Sequence, residues 1–178
     1  NIIPLMELPE AIEEYMYYLR IERGSSSNTV EEYSRDLKAY SAHLKELGIT
    51  DVEGIDPNSI ADFEIALSKK GYSPASVKRT MSAVRGFHKF MLREEITKYS
   101  PTDVLKLPKL PSKLPEVLSI QQVGGILDSL CGDLPLEVRD STLLEVLYGC
   151  GLRAGAACGL DLSNVHLDDG FIIVFGKG

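Results

Sequence analysis

Residues 137–178 read EVRDSTLLEVLYGCGLRAGAACGLDLSNVHLDDGFIIVFGKG, and this stretch decides the fold class that the sequence predicts. Its first part predicts a buried helix, because apolar side chains crowd the turn at 143–147. The Gly-Cys-Gly sequence at 149–151 ends that helix, since glycine adopts positive φ at low cost. A short alanine-rich turn follows, and then a β-type run at 171–175. The order of elements is therefore helix, turn and strand.

Two cations in this stretch, Arg153 and Lys177, each stand beside glycines at the end of an apolar element. The guanidinium of arginine is a rigid fork that matches a phosphate, and the ammonium of lysine is a compact point charge. Rigid elements that bring both groups to one place suit the binding and activation of a phosphate. The alternative for Arg153 is a carbonyl or carboxylate partner at a helix end. The alternative for Lys177 is an ordinary lysine in a turn.

Four amphipathic helices are predicted upstream, because apolar residues recur there at helical spacing between start and stop signals. Four amphipathic helices with short connections make a compact bundle. A capping box of Thr29 and Glu32 is expected near the start of the second helix. Another capping box, at 119–122, predicts the start of a fifth helix beyond the bundle. The four helices are expected to begin near Pro9, Ser27, Pro57 and Pro74, and the first three to end near Arg23, Gly48 and Gly71.

The charge of the chain is unevenly distributed. The net charge of −7, taken whole, argues against a nucleic-acid partner. Residues 1–68 carry 5 basic and 14 acidic side chains, and residues 114–178 carry 3 basic and 9 acidic ones. Residues 69–113, in contrast, carry 11 basic and 3 acidic side chains, a net charge of +8. A basic block of this kind is typical of a nucleic-acid interface.

The polar side of the fourth helix lies in this basic block. Cations and a hydroxyl on one helical face fit phosphate contacts and base-edge readout in a DNA major groove. The alternative is a solvated charged face, which spacing alone does not exclude. His88, on the same helix, is expected to be a partly buried residue without a functional role. The polar residues concerned are Lys78, Arg79, Ser82, Arg85 and Lys89.

The composition excludes several classes of protein. A hydrophobic content of 44% with 25% charged residues is typical of a globular chain and not of a disordered one. No apolar run approaches the ~20 residues that span a bilayer, and no signal peptide is recognisable, so we expect a cytoplasmic protein without a membrane partner. The three cysteines lack metal-ligand spacing, and we expect buried free thiols. We expect neither a metal nor a cofactor.

Together these motifs resemble the tyrosine site-specific recombinases of the phage integrase family, most closely the Xer type. The resemblance lies in Arg139-Asp140 before an apolar helix, in Tyr148-Gly-Cys-Gly-Leu-Arg153, and in Gly176-Lys177-Gly178 after a strand. It covers nearly the whole chain, because residues 12–118 also follow the DNA-binding domain and linker of that family. The combined signal is specific, although either cation alone would be a weak one.

The resemblance implies a mainly α fold in two domains. Residues 1–106 would form a four-helix, SAM-like DNA-binding bundle, and residues 107–118 a linker. Residues 119–178 would form the first helices and the β-hairpin start of an α+β catalytic domain. The linker alternates prolines with lysines, so it would stay extended and follow the phosphates of the duplex. An ordinary inter-domain tether is the alternative.

The resemblance also implies a reaction, site-specific recombination through a 3′-phosphotyrosine intermediate. Arg153 would bind the non-bridging oxygens of the scissile phosphate, and Lys177 would be the general acid toward the departing 5′-oxygen. The partners would be double-stranded DNA and further copies of the chain or a paralogous recombinase, which form a tetramer on DNA in this family. The residues expected to contact DNA are Ser27, Asn28, Thr29, Tyr33, Arg35, Lys78, Arg79, Ser82, Arg85, Lys89, Lys109 and Lys113.

Two departures from the family pattern matter. The family places an acidic residue three positions after the arginine, where this chain has Ala156. The His-x-x-Arg motif and the nucleophilic tyrosine of the family come after Gly178, so we expect this fragment to bind DNA and to be inactive. A catalytically silent DNA-binding relative, favoured by Ala156, is one alternative. An α-helical protein-interaction module is another, and the choice between a chromosome-dimer resolvase and a mobile-element integrase stays open.

Overall fold

The computed structural model describes residues 6–104, 116–130 and 132–174. The chain divides into two compact units, Asn1–Ser112 and Lys113–Gly178. Most of the predicted linker at 107–118 lies outside the described residues, so the predicted domain boundaries stay predictions.

The first unit contains four α-helices, as predicted. Helix α1 is followed directly by one π-helical turn at Tyr18–Glu22, so the first helical segment ends close to the expected residue. The four α-helices are α1 (Leu8–Tyr17), α2 (Ser27–Glu46), α3 (Pro57–Lys69) and α4 (Pro74–Arg93).

Side-chain caps mark the starts of α2, α3 and α4. The Oδ1 of Asp56 accepts from the Ser59 N–H at 2.7 Å, and the Ser59 Oγ accepts from the Asp56 N–H at 3.2 Å. Ser73 caps α4 by accepting from the N–H of Ser76 at 3.1 Å. The two Asp56–Ser59 bonds form a capping box. All three bonds satisfy backbone N–H groups that the first turn of a helix leaves unpaired.

The predicted capping box of Thr29 and Glu32 is wrong. Ser26 is the residue with extended backbone, at φ −61° and ψ 150°, and its side chain accepts from the Thr29 N–H at 3.4 Å. Thr29 already lies inside the first turn, and the carboxylate of Glu32 faces Arg79 on α4. Spacing alone could not distinguish the two starts, because serines occupy 25–27 as well.

A single apolar core fills the space between the four helices. Its largest fully buried side chains come from α1, α2 and α4, and α3 adds an aromatic edge that packs against α2. Burial of this kind supplies most of the stability of a helical bundle. The main contributors are Tyr15, Leu19, Leu37, Tyr40, Leu44, Ile60, Phe63, Val84, Phe87 and Met91.

His88 belongs to this core and is not the partly buried residue that we expected. Its side chain is 1% exposed, and its Nε2 lies 3.0 Å from the Oη of Tyr40. Burial lowers the pKa of His88 from 6.5 to about 3. The imidazole is therefore neutral at physiological pH and takes part in packing.

Close approach of α1 to α4 requires a glycine at position 86. A Cβ added there would collide with the hydroxyl of Tyr15. That hydroxyl is buried and has no hydrogen-bond partner among the described residues, and burial raises the pKa of Tyr15. The two helices thus meet where the Tyr15 ring of α1 packs against the backbone of α4 at Gly86.

The second unit consists of short elements. A capping box opens α5 as predicted, since Ser119 Oγ accepts from the Gln122 N–H at 3.2 Å and Gln122 Oε1 accepts from the Ser119 N–H at 2.8 Å. Strands β1 and β2 form an antiparallel hairpin that pairs Val165 with Ile172 and His166 with Phe171. The elements are α5 (Ile120–Asp128), α6 (Pro135–Gly149), α7 (Ala154–Cys158), a 3-10 turn (Leu162–Asn164), β1 (Val165–His166) and β2 (Phe171–Ile172).

The prediction that α6 is a buried helix is wrong for this chain. None of the described residues of the second unit is buried, and the apolar side chains at 143–147 are half-buried or exposed. The physical reason is that, within the described residues, the main neighbours of α6 are the short helices α5 and α7, which do not enclose it. Cys150 and Cys158 are free but exposed, against the expectation of buried thiols. Within the described ranges, every helix is too short or too polar to cross a bilayer.

Candidate nucleic-acid interface and catalytic arginine

The polar side of α4 carries the residues predicted to contact DNA, but most of them are only half-exposed. Lys78, Arg79, Ser82 and Arg85 are half-buried, and Lys89 is exposed. They lie on one side of α4, because the opposite side of the helix is apolar and faces the core.

Arg79 is held by two carboxylates from α2. Its Nη1 donates to the Oδ2 of Asp36 at 2.7 Å and to the Oε2 of Glu32 at 3.5 Å. The Thr80 hydroxyl donates to the other oxygen of Asp36 at 3.1 Å. Burial raises the pKa of Asp36 against the opposing effects of the Arg79 charge and the Thr80 hydrogen bond. Arg79 therefore joins the polar side of α4 to the first turns of α2.

Ser82 and Arg85 also have partners within the first unit. The Ser82 hydroxyl donates to the backbone carbonyl of Lys78 at 2.8 Å, one turn earlier in α4. The Nη2 of Arg85 donates to the carbonyl of Thr102 at 3.4 Å, and the Thr102 hydroxyl lies 2.8 Å from that of Ser100. These bonds orient the polar side of the helix toward the segment that follows it.

Lys89 lines a groove between α1 and α4 with other cations. Arg23 and Arg93 line the same groove, and the Arg93 guanidinium lies 4.1 Å from the centre of the Tyr18 ring. Arg93 also donates to the Tyr18 hydroxyl at 2.7 Å. The predicted cationic surface thus extends from α4 to the end of the first helical segment, which the sequence analysis did not foresee.

The predicted residues at the start of α2 are divided between two places. Ser27 and Asn28 are exposed in the first turn, where unpaired N–H groups and the helix dipole favour an anion. Thr29 and Tyr33 are half-buried, and Tyr33 packs against the core. Arg35 is exposed and lines a different groove, together with Arg20 and Lys38.

In the second unit, Arg153 occupies the N-cap position of α7. Its carbonyl accepts from the N–H groups of Ala156 and Ala157 at 2.9 and 3.0 Å. Gly151 has φ +62°, a conformation that favours glycine, and this turn leads directly from α6 to Arg153. The side chain of Arg153 is exposed and makes no ion pair or side-chain hydrogen bond within the described residues. Backbone geometry thus fixes the main chain of Arg153 at a helix end and leaves its guanidinium open to solvent.

Other predicted site residues lie outside the described residues, namely Lys109, Lys113 and Lys177. Arg139 and Asp140, which carry part of the resemblance, form an exposed ion pair with 2.6 Å between Nη2 and Oδ1. Ala156 lies inside α7 and is half-buried. Among the residues that the structure describes, no group of three or more His, Cys, Asp or Glu could hold a metal ion.

Sequence reasoning missed the two acids that hold Arg79. The near absence of acids within α4 suggested a cationic helix, but Glu32 and Asp36 come from α2, across the helix–helix contact. A signal was present, because Asp36 interrupts the apolar stripe formed by Tyr33, Leu37 and Tyr40. A carboxylate in such a stripe needs a buried partner.

Comparison with protein families identifies both units. A model described as "Phage integrase, N-terminal SAM-like domain" matches residues 12–95, and a model described as "Phage integrase family" matches residues 116–178. Tyrosine recombinase XerD of Staphylococcus aureus is 40% identical over 167 residues, covering 94% of this chain and 57% of the relative. Tyrosine recombinase XerD of Halalkalibacterium halodurans is 34% identical over 168 residues, covering 94% and 56%. The chain thus spans little more than half the length of these relatives.

Solved structures show the same fold at lower identity. A lambda integrase dimer bound to a COC′ core site matches with a TM-score of 0.70 and 20% identity, over 97% of this chain and 46% of that one. The N-terminal domain of a phage integrase/site-specific recombinase from Haloarcula marismortui matches with a TM-score of 0.54 and 17% identity, over 59% and 99%. The four-helix SAM-like bundle and the α+β start of a catalytic domain are confirmed. The two family models together match most of the chain, which belongs to the phage integrase family and is similar to tyrosine recombinases named XerD.

Proposed function

We propose that this chain binds double-stranded DNA through the polar side of α4 and the first turns of α2. The observation that carries the proposal is the contact between these two surfaces, made where Arg79 of α4 meets Glu32 and Asp36 of α2. Lys89 of α4 and the start of α2 are exposed and available to a duplex. Cations on one helix and free N–H groups at the start of another are groups that bind the DNA backbone.

A salt titration of duplex binding tests this proposal. Each phosphate neutralised by a cation contributes a slope of about −0.9 to the plot of log K against log salt. We expect Lys78→Ala and Lys89→Ala each to weaken binding of any duplex and to reduce the slope by about 1. Lys45→Ala, near the opposite end of α2, removes the same charge and should leave both quantities unchanged. If the three variants had the same affinity and the same salt slope, α4 would not be part of the interface.

Arg79→Ala is a poorer test of the same interface. The substitution would leave Asp36, whose side chain is 6% exposed, without its cation. Removing one partner of a buried ion pair destabilises a protein strongly. Lost DNA binding in that variant would therefore not distinguish a missing contact from an unfolded bundle.

The whole protein, in our proposal, recombines DNA at specific sites. A tyrosine hydroxyl would attack the scissile phosphorus, forming a 3′-phosphotyrosine and releasing the 5′-oxygen. Arg153 would bind the non-bridging oxygens and stabilise the charge that develops in the transition state. Lys177 would donate the proton that the departing 5′-oxygen takes up. The exposed side chain of Arg153 at the start of α7 supports its role.

Covalent trapping on a nicked duplex tests this chemistry. The full-length protein should form an adduct that survives denaturation, and Arg153→Ala should abolish it without changing duplex affinity much. The second candidate, a silent DNA-binding relative, is favoured by Ala156, which stands where the family has an acidic residue. Duplex binding without any adduct from the full-length protein would establish that second function. Absence of duplex binding would leave a protein-interaction module.

We further propose that the protein acts in the cytoplasm and assembles on DNA with a second copy or a paralogous recombinase. A tetramer of lambda integrase bound to a Holliday junction has been crystallised, which supports such an assembly for a related fold. The mass of the protein–DNA complex, measured by analytical ultracentrifugation with the full-length protein, would test it. One protomer on a complete recombination site, at saturating protein, would contradict it.

A further inference from the structure

Arg79 differs from the other cations of α4 because a single nitrogen carries both of its ion pairs. Nη1 donates to Asp36 at 2.7 Å and to Glu32 at 3.5 Å. A guanidinium has five N–H donors arranged as a rigid fork. Within the described residues, Nε and Nη2 of Arg79 donate no hydrogen bond, and the side chain is 37% exposed. The edge formed by Nε and Nη2 is the kind that binds two oxygens of one anion.

The two carboxylates around Nη1 are of different kinds. The Asp36 side chain is 6% exposed, and the Thr80 hydroxyl fixes its second oxygen at 3.1 Å. The Glu32 side chain is 51% exposed and stands at the longer distance of 3.5 Å. Buried, hydrogen-bonded carboxylates hold one geometry, whereas exposed ion pairs are weak and exchange with solvent and salt.

We propose that Arg79 is a pre-oriented phosphate clamp with one permanent and one exchangeable partner. Asp36 is a positioning residue that fixes the guanidinium through Nη1. Glu32 is the partner that gives way when a phosphodiester of the duplex binds the Nε–Nη2 edge. This inference rests on the proposed binding of duplex DNA, and it adds the residues that tune the affinity. Because this ion pair with Arg79 is lost on binding, Glu32 lowers the affinity for DNA that places a phosphate at Arg79, and removal of its charge should raise that affinity.

Glu32→Gln tests the exchangeable partner, and Glu31→Gln is its matched control. The two glutamates are adjacent, exposed residues of α2, and each substitution removes one negative charge. Of these two glutamates, Glu32 alone pairs with Arg79 in the described part of the chain. We expect Glu32→Gln to tighten duplex binding at low salt about threefold more than Glu31→Gln does, the size expected for an exposed ion pair. Equal affinities of the two variants would overturn the role of Glu32.

Arg79→Lys tests the clamp itself. Lysine keeps the positive charge near Asp36 but lacks a second parallel donor for bidentate binding. We expect duplex affinity to fall about tenfold while the salt slope stays nearly constant, because the charge is retained. Wild-type affinity in a folded Arg79→Lys variant would show that Arg79 serves only to join the helices. Circular dichroism and the melting temperature verify that the variant is folded.

Thr80→Val adds a test of positioning that leaves both charges of the ion pair in place. It removes the hydrogen bond to Asp36 from a buried site of almost unchanged volume. We expect duplex affinity to fall about threefold with an unchanged salt slope, because one hydrogen bond that orients the clamp is lost. Unchanged affinity in Thr80→Val would refute positioning through Asp36.

These outcomes separate failure of the inference from failure of the proposed function. A wild-type chain that does not bind duplex DNA would sink both. The other outcome is that the wild-type chain binds DNA with a steep salt dependence and that its affinity is unchanged in Glu32→Gln, Arg79→Lys and Thr80→Val. This result would support DNA binding and refute the clamp.

Discussion

The buried pair of His88 and Tyr40 makes the stability of the bundle depend on pH. The pKa of His88 is lowered to about 3 by burial, whereas a histidine in the unfolded chain titrates near 6.5. Below 6.5 the unfolded chain therefore takes up a proton that the folded chain refuses. The neutral His88 therefore contributes its full stabilisation above pH 6.5. This contribution falls as the pH drops from 6.5 toward 3, as expected for a base whose pKa is lowered by folding.

The size of the effect follows from the two pKa values. Each pH unit within this window costs about 1.4 kcal/mol, so the loss from His88 at about pH 5 is about 2 kcal/mol. The histidine is almost fully buried, so solvent screening does not reduce this figure appreciably. A loss of about 2 kcal/mol is a substantial part of the 5–15 kcal/mol roughly typical of a domain.

Urea denaturation followed by circular dichroism measures this loss. The wild-type chain and His88→Gln are compared at about pH 7.5 and about pH 5. Glutamine cannot titrate but can still form a hydrogen bond with Tyr40. We expect the wild type to lose about 2 kcal/mol more than the variant between the two pH values. The comparison cancels the contributions of the carboxyl groups of Asp36 and Asp56, which both proteins share. An equal loss in the two proteins would refute the assignment of a buried, neutral histidine.

Three further predictions concern the stability of the first unit. Gly86→Ala should destabilise it by about 1–3 kcal/mol through overpacking against the Tyr15 hydroxyl, and Tyr15→Phe in the same chain should recover part of that loss. Equal denaturation midpoints for Gly86→Ala and wild type would contradict the contact. Ser26→Ala should lower the free energy of unfolding in urea by about 1 kcal/mol, because it removes the cap of α2, and Thr29→Ala should lower it less. The reverse order would identify Thr29 as the cap. Asp36→Ala should cost about 2 kcal/mol or more, because it removes the partner of the buried Thr80 hydroxyl and the shorter of the two ion pairs of Arg79. An unchanged midpoint would mean that the pair contributes nothing.

Much of the fold was predictable from local signals. Prolines at 57 and 74, preceded by Asp56 and Ser73, mark the starts of α3 and α4, and both caps are formed. The four-helix bundle followed from apolar residues at helical spacing, because one apolar side per helix has only one core to fill. The start of α2 near Ser27 was predicted correctly, but its cap was not, because three adjacent serines offer equivalent caps and only the backbone conformation selects Ser26.

The candidate site was predictable in kind but not in arrangement. The basic block at 69–113 and the polar side of α4 indicated where phosphates would bind. The partners of those cations depend on contacts between helices far apart in the chain. Glu32 and Asp36 reach Arg79 across 47 and 43 residues, and the carbonyl of Thr102 reaches Arg85 across 17.

The sequence by itself determined the family, the number of helices in the bundle and the placement of Arg153 directly after a glycine turn. These features depend on motifs and on hydrophobic periodicity, which are local properties of a chain. Only the tertiary structure decided that His88 is a neutral core residue, that position 86 must be glycine, and that Arg79 is anchored through one nitrogen. Burial and long-range pairing set these properties, because the free energy of a charge depends on which groups the fold brings around it.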